Sequence, residues 1–211
     1  MAHVEIPVLN ATAGSVAKYS VSTESLGEST RRRLLHRATV MYEARARQGT
    51  VKAKARGDVA GSRKKLWPQK HTGRARMGDR RPPHWKGGGV AFGPKPRDFG
   101  YSLPRRARQE ALRSALLSKF RDEQVFLIDE LHFDKPSTKA VAGYLKSLGI
   151  NGTCLLVPKE HSEALHLSVR NLHGCRMAPY KDLNAYKVLR HRNLLLSEAA
   201  LKSLLESMAH A

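Results

Sequence analysis

Between Arg45 and Arg108 the chain carries 19 basic and three acidic residues, a net of +16 over 64 positions. No other feature constrains the fold as strongly. Ten of the 16 glycines and six of the ten prolines lie inside this window. No apolar stripe of period 3.6 survives in it, and no alternation beyond Gly89–Phe92. Self-repulsion at such density opposes compaction, so the window is expected to be ordered by a partner's phosphates. The flanks differ: residues 1–44 hold a net +1 and residues 109–211 a net +3, out of +20 for all 211 residues. Hydrophobic residues reach 41% of the chain, which leaves the flanks enough for a packed core.

The flanks read as α/β protein. Strands are expected at Val4–Leu9 and Val16–Val21. Ser29 or Thr30 can cap a helix running to about Gln48, with Leu34, Leu35, Ala38, Met41 and Tyr42 on one face. Pro104 suits the first turn of a helix over 105–120, where Ala107, Ala111, Leu112, Ala115, Leu116 and Lys119 fall at helical spacing. Strand and helix then alternate: strands at Val125–Ile128, Thr153–Val157, Cys175–Ala178 and Asn193–Leu196, helices at Pro136–Leu148, Glu160–Leu167 and Leu183–Arg190. Ser197 caps a last helix to about Met208. The expected fold class is α/β, a mainly parallel sheet covered by helices. A long extended basic loop is inserted after the first long helix. Residues 1–48 and 101–211 form the expected globular domain, and 49–100 the loop.

Catalytic patterns fail on inspection. The run Gly87-Gly88-Gly89-Val90-Ala91-Phe92-Gly93 resembles a dinucleotide fingerprint, but Phe92 occupies a required glycine position and no strand precedes it. Gly73 to Gly78 has the spacing of a phosphate-binding loop, but Asp79-Arg80 stands where Lys-Ser/Thr is needed. The ten histidines are scattered; neither His132/Asp134 nor His161/Glu163 makes a metal-ligand set. Cys154 and Cys175 lie in apolar runs and read as small core residues in a reducing compartment. No segment approaches 18 consecutive apolar residues, and residues 1–5 lack a signal-peptide pattern. Expected, then, are no enzyme activity, no cofactor, no metal and no membrane partner.

The basic window fits nucleic acid. Arg47, Lys52, Lys54, Arg56, Arg63, Lys64, Lys65, Lys70, Arg74, Arg76, Arg80, Arg81, Lys86, Lys95 and Arg97 recur along its whole length, to neutralise phosphates. Trp67, Trp85, Phe92, Phe99 and Tyr101 are interleaved, and Trp67, Trp85 and Phe92 are expected to stack on or wedge between bases. A solubilising tail would need no tryptophans and would usually lie at a terminus. RNA is favoured over DNA, because a Gly/Pro-punctuated segment matches no major-groove reading element.

Several long motifs carry a resemblance. Ala46-Arg47-Gln48-Gly49-Thr50, Gly61-Ser62-Arg63-Lys64-Lys65-Leu66-Trp67-Pro68-Gln69-Lys70-His71-Thr72-Gly73-Arg74-Ala75-Arg76 and Pro83-His84-Trp85-Lys86-Gly87-Gly88-Gly89-Val90-Ala91-Phe92-Gly93-Pro94-Lys95-Pro96-Arg97 resemble the bacterial-type large-subunit ribosomal proteins of universal family four. Ala111–Leu116 and Ser168–Leu172 continue the match. The resemblance implies a globular α/β domain on the solvent side of the large subunit, bound to ribosomal RNA and neighbouring ribosomal proteins. It implies a loop penetrating ribosomal RNA, with Gln69, Lys70, His71, Thr72, Gly73 and Arg74 lining the nascent-peptide tunnel. At about 3.3 Å per residue, about 30 residues per arm reach at most ~100 Å. An early role in subunit assembly, and a cytoplasmic place in a bacterial or plastid-type ribosome, also follow from it. Three departures are visible: Pro68 in place of an arginine, His71 in place of a glycine, and Asp79 in place of a small polar residue. Two other readings stay open: an autogenous regulator binding its own messenger leader, which can coexist, and an RNA-modifying enzyme, whose first strands would lack a glycine-rich turn.

Overall fold

Leu194, Leu195 and Leu196 are consecutive in sequence yet buried on opposite faces of one sheet, as a strand of period two requires. They belong to a computed structural model that describes residues 3–9, 15–22, 26, 27, 29–129, 135–150 and 152–209. The chain divides into two compact units, one formed by Met1–Glu43 with Ser102–Ala211 and the other by Ala44–Tyr101.

In the first unit, β1 (His3–Leu9) and β2 (Ser15–Ser22) precede α1 (Arg32–Ala46) and α2 (Arg105–Arg121). Then β3 (Val125–Ile128), α3 (Thr138–Ser147), β4 (Cys154–Val157), α4 (Glu163–Val169), β5 (Cys175–Met177), α5 (Ala185–Arg190), β6 (Asn193–Ser197) and α6 (Glu198–Ala209) alternate. The sheet order is β2-β1-β3-β6-β4-β5. Among the described residues only β1 and β2 pair antiparallel; the other neighbours are parallel. The expected α/β class with a mainly parallel sheet is the observed one. The last strand, β6, occupies the middle, pairing Val125 with Leu194 on one side and Leu155 with Leu194 on the other.

Both faces of the central strands are covered. Leu127, Leu155, Val157, Leu194 and Leu196 pack with Met41 of α1, Leu116 and Phe120 of α2, Val188 of α5 and Leu201 of α6. Ile128, Cys154, Leu156 and Leu195 pack with Val141 and Leu145 of α3 and Leu165 and Val169 of α4. Each fully buried leucine contributes about 1.5–3 kcal/mol. Burial also pushes the Cys154 thiol up to about 12, which removes its thiolate at neutral pH.

Helix starts follow their caps, and this shifts some expected boundaries. Ser162 accepts from the Leu165 amide and Asn184 from the Lys187 amide, so α4 and α5 begin after those residues. The helix expected from Glu160 therefore starts at Glu163, and the one expected from Leu183 starts at Ala185. Ser197 caps as expected, accepting from Ala200, and Ser137 accepts from Ala140 at the start of α3. Neither Ser29 nor Thr30 caps α1, which starts at Arg32 with the Arg31 carbonyl accepting from Leu34 and Leu35. Lys119 lies on the core face of α2, 7% exposed, its Nζ donating to Gln124 Oε1 at 2.7 Å and to the Arg192 carbonyl at 2.8 Å. Burial lowers its pKa, Asp122 opposes the shift and Arg192 adds to it. The pair His132/Asp134 lies outside the described residues.

Candidate nucleic-acid interface

Residues 47–104 contain no helix and no strand, yet they are not formless. The second unit is a two-armed hairpin, bonded backbone to backbone at a few places. The Arg97 amide donates to the Gly49 carbonyl at 3.1 Å, Ala53 to Pro94 at 3.0 Å, and Val90 to Lys54 at 2.9 Å. Leu66 donates to Gly78 at 3.1 Å and closes the tip. Prolines 68, 82, 83, 94 and 96 lack the donors that a continuous ladder needs, which explains the sparse bonding.

The root of the hairpin is a stack. The guanidinium groups of Arg47 and Arg97 lie over the Phe99 ring, 3.8 and 4.4 Å from its centroid. Arg45 Nε donates to the Tyr101 carbonyl at 3.0 Å. A cavity of about 860 Å³ opens beside this stack, lined by Arg47, Thr50, Lys95, Arg97 and Phe99 among others.

The waist is where three chain segments meet. Gly89 donates to the Arg81 carbonyl at 3.0 Å, and a Cβ on Gly89 would stand 2.3 Å from the Arg56 nitrogen. The triple glycine that imitates a nucleotide loop is thus a place of close backbone packing. Beside it, Asp79 and Arg81 are each 7% exposed. Arg81 Nη2 donates to Asp79 Oδ2 at 3.0 Å, and Arg56 Nε approaches the same oxygen at 3.7 Å. Burial pushes the Asp79 carboxyl up, but the Arg81 hydrogen bond and the Arg56 charge outweigh it, so its pKa lies below the ordinary 3.8.

At the tip, Trp67 is half-buried. Its Nε1 donates to the Ala75 carbonyl at 3.0 Å and the Arg74 guanidinium sits 5.6 Å over its ring. Lys65 Nζ donates to Gln69 Oε1 at 2.5 Å. His71 adopts φ 66°, a left-handed conformation that glycine takes freely and histidine takes at some cost in strain.

The residues expected to touch RNA are distributed as follows. Arg47, Lys52, Lys54, Arg56, Arg63, Lys64, Lys65, Lys70, Arg74, Arg76, Arg80, Lys86, Lys95 and Arg97 are exposed. Gln69, His71 and Gly73 are exposed and Thr72 is half-buried. Phe92 is 102% exposed, and Trp85 is half-buried in the turn where its amide donates to the Pro82 carbonyl at 3.1 Å. Arg81 stands apart: its guanidinium is buried and engaged by Asp79, so it organises the hairpin from within. Lys52 approaches Asp58 at 3.6 Å. Sequence reasoning missed the buried Asp79–Arg81 pair, the Phe99 stack and the Trp67 anchor. The available signal was an acid two residues before an arginine in an otherwise basic run. Among the described residues, no group of three or more His, Cys, Asp or Glu could hold a metal ion, and no helix is long and apolar enough to cross a membrane.

An α/β unit interrupted in sequence by a cation-studded hairpin, with a wholly exposed phenylalanine and two tryptophans, is the build of a structural nucleic-acid-binding protein. Comparison with known proteins specifies it further. The model of the ribosomal protein L4/L1 family matches residues 19–207, and the chain belongs to that family. Among curated relatives, the large ribosomal subunit protein uL4 of Moorella thermoacetica is 39% identical over 204 residues, covering 97% of this chain and 99% of its own. That of Desulfosudis oleivorans is 46% identical over 169 residues, 80% of this chain and 82% of its own. That of Symbiobacterium thermophilum is 37% identical over 196 residues, 93% and 95%.

Proposed function

We infer that this chain is a structural constituent of the large ribosomal subunit, bound to ribosomal RNA among other large-subunit proteins in the cytoplasm, and that it is not an enzyme. Family membership over residues 19–207 supports the assignment. The observation that carries the RNA-binding role is the hairpin itself: exposed Arg and Lys along both arms, and Phe92 held wholly in solvent. Such a ring has no stabilising role in the free chain, whereas a base face or a crevice in folded RNA would bury it.

In this reading the arms run between RNA helices, with Arg47, Lys52, Lys54, Arg56, Arg63, Arg76, Lys95 and Arg97 facing phosphates. Trp85 and Phe92 wedge against bases, and Trp67 holds the tip in shape. Gln69, Lys70, His71, Thr72, Gly73 and Arg74 line the nascent-peptide tunnel and meet the growing chain. The mechanism is counter-charge and space-filling, and early binding of the hairpin would guide RNA folding during assembly.

A tagged chain expressed in bacterial cells should co-sediment with large subunits in a sucrose gradient; recovery only in the free fraction overturns the assignment. For the tip, a photo-crosslinker at His71 should capture a stalled nascent peptide. Labelling only of RNA would remove the tunnel role and leave the rest intact.

A further inference from the structure

The hairpin holds a second cavity, of about 550 Å³, between the waist and the tip. Five cations line it: Lys64, Lys65, Arg80, Arg81 and Lys86. Among the described residues no carboxylate approaches Lys64, Arg80 or Lys86, and the nearby acid, Asp79, is already engaged by Arg81 and Arg56. Like charges lining one concavity repel one another, and solvent screens that repulsion only beyond ~8–10 Å. The walls are also fixed. Ser62 Oγ accepts from the Lys64 amide at 3.1 Å, and Gly88 and Gly89 are locked by bonds to the Trp85 and Arg81 carbonyls. Arg81 is more than nine-tenths buried and lines this cavity; its donor Nε has no partner, and neither has the buried acceptor Asp79 Oδ1 of the same pair. A buried orphan donor beside uncompensated cations favours an anionic ligand at this wall.

We propose that this cavity is a preformed cradle for closely spaced phosphates, selecting a sharply turned polyphosphate backbone over isolated phosphates. Asp79 is its positioning residue: it holds Arg81 in the wall and carries too little charge to satisfy the other four cations. The proposal rests on reading the hairpin as an RNA-binding element, and it goes further in assigning one site to a compact polyanion rather than spreading affinity evenly along the arms. The two sources of such chemistry are a folded RNA backbone and a free polyphosphate.

The test uses the full chain and tripolyphosphate as probe. Calorimetry should show one saturable site, absent with inorganic phosphate at the same concentration. Lys64→Gln/Lys86→Gln should weaken it by about tenfold or more, as loss of two charge-assisted contacts implies. Lys54→Gln/Lys95→Gln, which removes equal charge elsewhere on the hairpin, should weaken it by less than about threefold, as screened long-range attraction implies. Equal losses from the two pairs, or no saturable site, overturn the cradle. Lysine acylation of purified large subunits then separates the sources. Protection of Lys64 and Lys86 lost on ribonuclease digestion assigns the occupant to RNA; protection lost only with a polyphosphatase assigns it to free polyphosphate. Acylation of both as fast as in the free chain overturns the proposal, while co-sedimentation with large subunits would still uphold the ribosomal role.

Discussion

Leu195 and Arg81 are both buried, and different forces hold them there. Leu195 sits at 0% exposure among Ile128, Val141, Leu156 and Leu165, where removal from water is the whole stabilisation. Arg81 sits at 7% because one carboxylate and a tight backbone crossing enclose it. The first unit owes its form to apolar area, and the second to a few directional bonds among repelling charges. The contrast teaches that one chain can carry both: each unit is held by its own forces, apolar burial in one and directional bonds in the other.

The sharpest way to break this contrast is to remove one side. Replacing Gly49–Gly100 by a short Gly-Ser linker should abolish incorporation into large subunits. The thermal midpoint of the α/β unit should move by less than about 4 °C, the size of a ~1 kcal/mol effect. Loss of the folded α/β unit in that variant, read by circular dichroism, would show that the two units are not independent. Next comes Leu195→Ala, expected to lower unfolding free energy by about 2–5 kcal/mol in a denaturant titration. A truncation in the hairpin, Val51→Ala, should stay within about 0.5 kcal/mol.

Phe92→Ala is expected to leave stability unchanged and to weaken binding to a ribosomal RNA fragment by about 1–3 kcal/mol, the worth of one stacked aromatic. Unchanged affinity at low and high salt would show that the exposed ring makes no contact. The smallest effect belongs to Asp79. Because its folded pKa lies below the ordinary 3.8, its ion pairs stabilise the waist at every pH above that value and fail as pH falls through the folded one. Relative to the intrinsic rate at each pH, hydrogen exchange at the Gly89 and Val90 amides should therefore quicken in acid. Asp79→Asn should quicken it at neutral pH as well, while amides of β4 and β6 stay protected. A waist that exchanges as fast as residues 66–78 in the native chain would show that the buried ion pair adds no protection of its own.

Much of the α/β unit was legible because its strands are short apolar runs bounded by capping residues. Val125–Ile128 and the caps Ser137 and Ser197 needed only local chemistry. The place of β6 was not legible, since strand order depends on partners such as Val125 and Leu194 that lie far apart in the chain. In the hairpin, the exposed cations could be read one by one. Arg81 could not be told from its neighbours, because its burial comes from Asp79 and from backbone crossings that no local pattern encodes. The glycine triplet could be denied a nucleotide, but its packing against Arg56 required coordinates.

The central position of β6 has a consequence in time. Chains are made from the amino end, and β3 and β4 cannot gain their shared neighbour until Asn193–Ser197 has emerged. The basic hairpin, residues 44–101, is complete roughly 90 residues earlier in synthesis. During translation the polycation therefore meets the RNA-crowded surroundings before its own anchor can close. A newborn copy has a window in which electrostatic capture precedes folding, and the length of that window is set by where one strand falls in the gene.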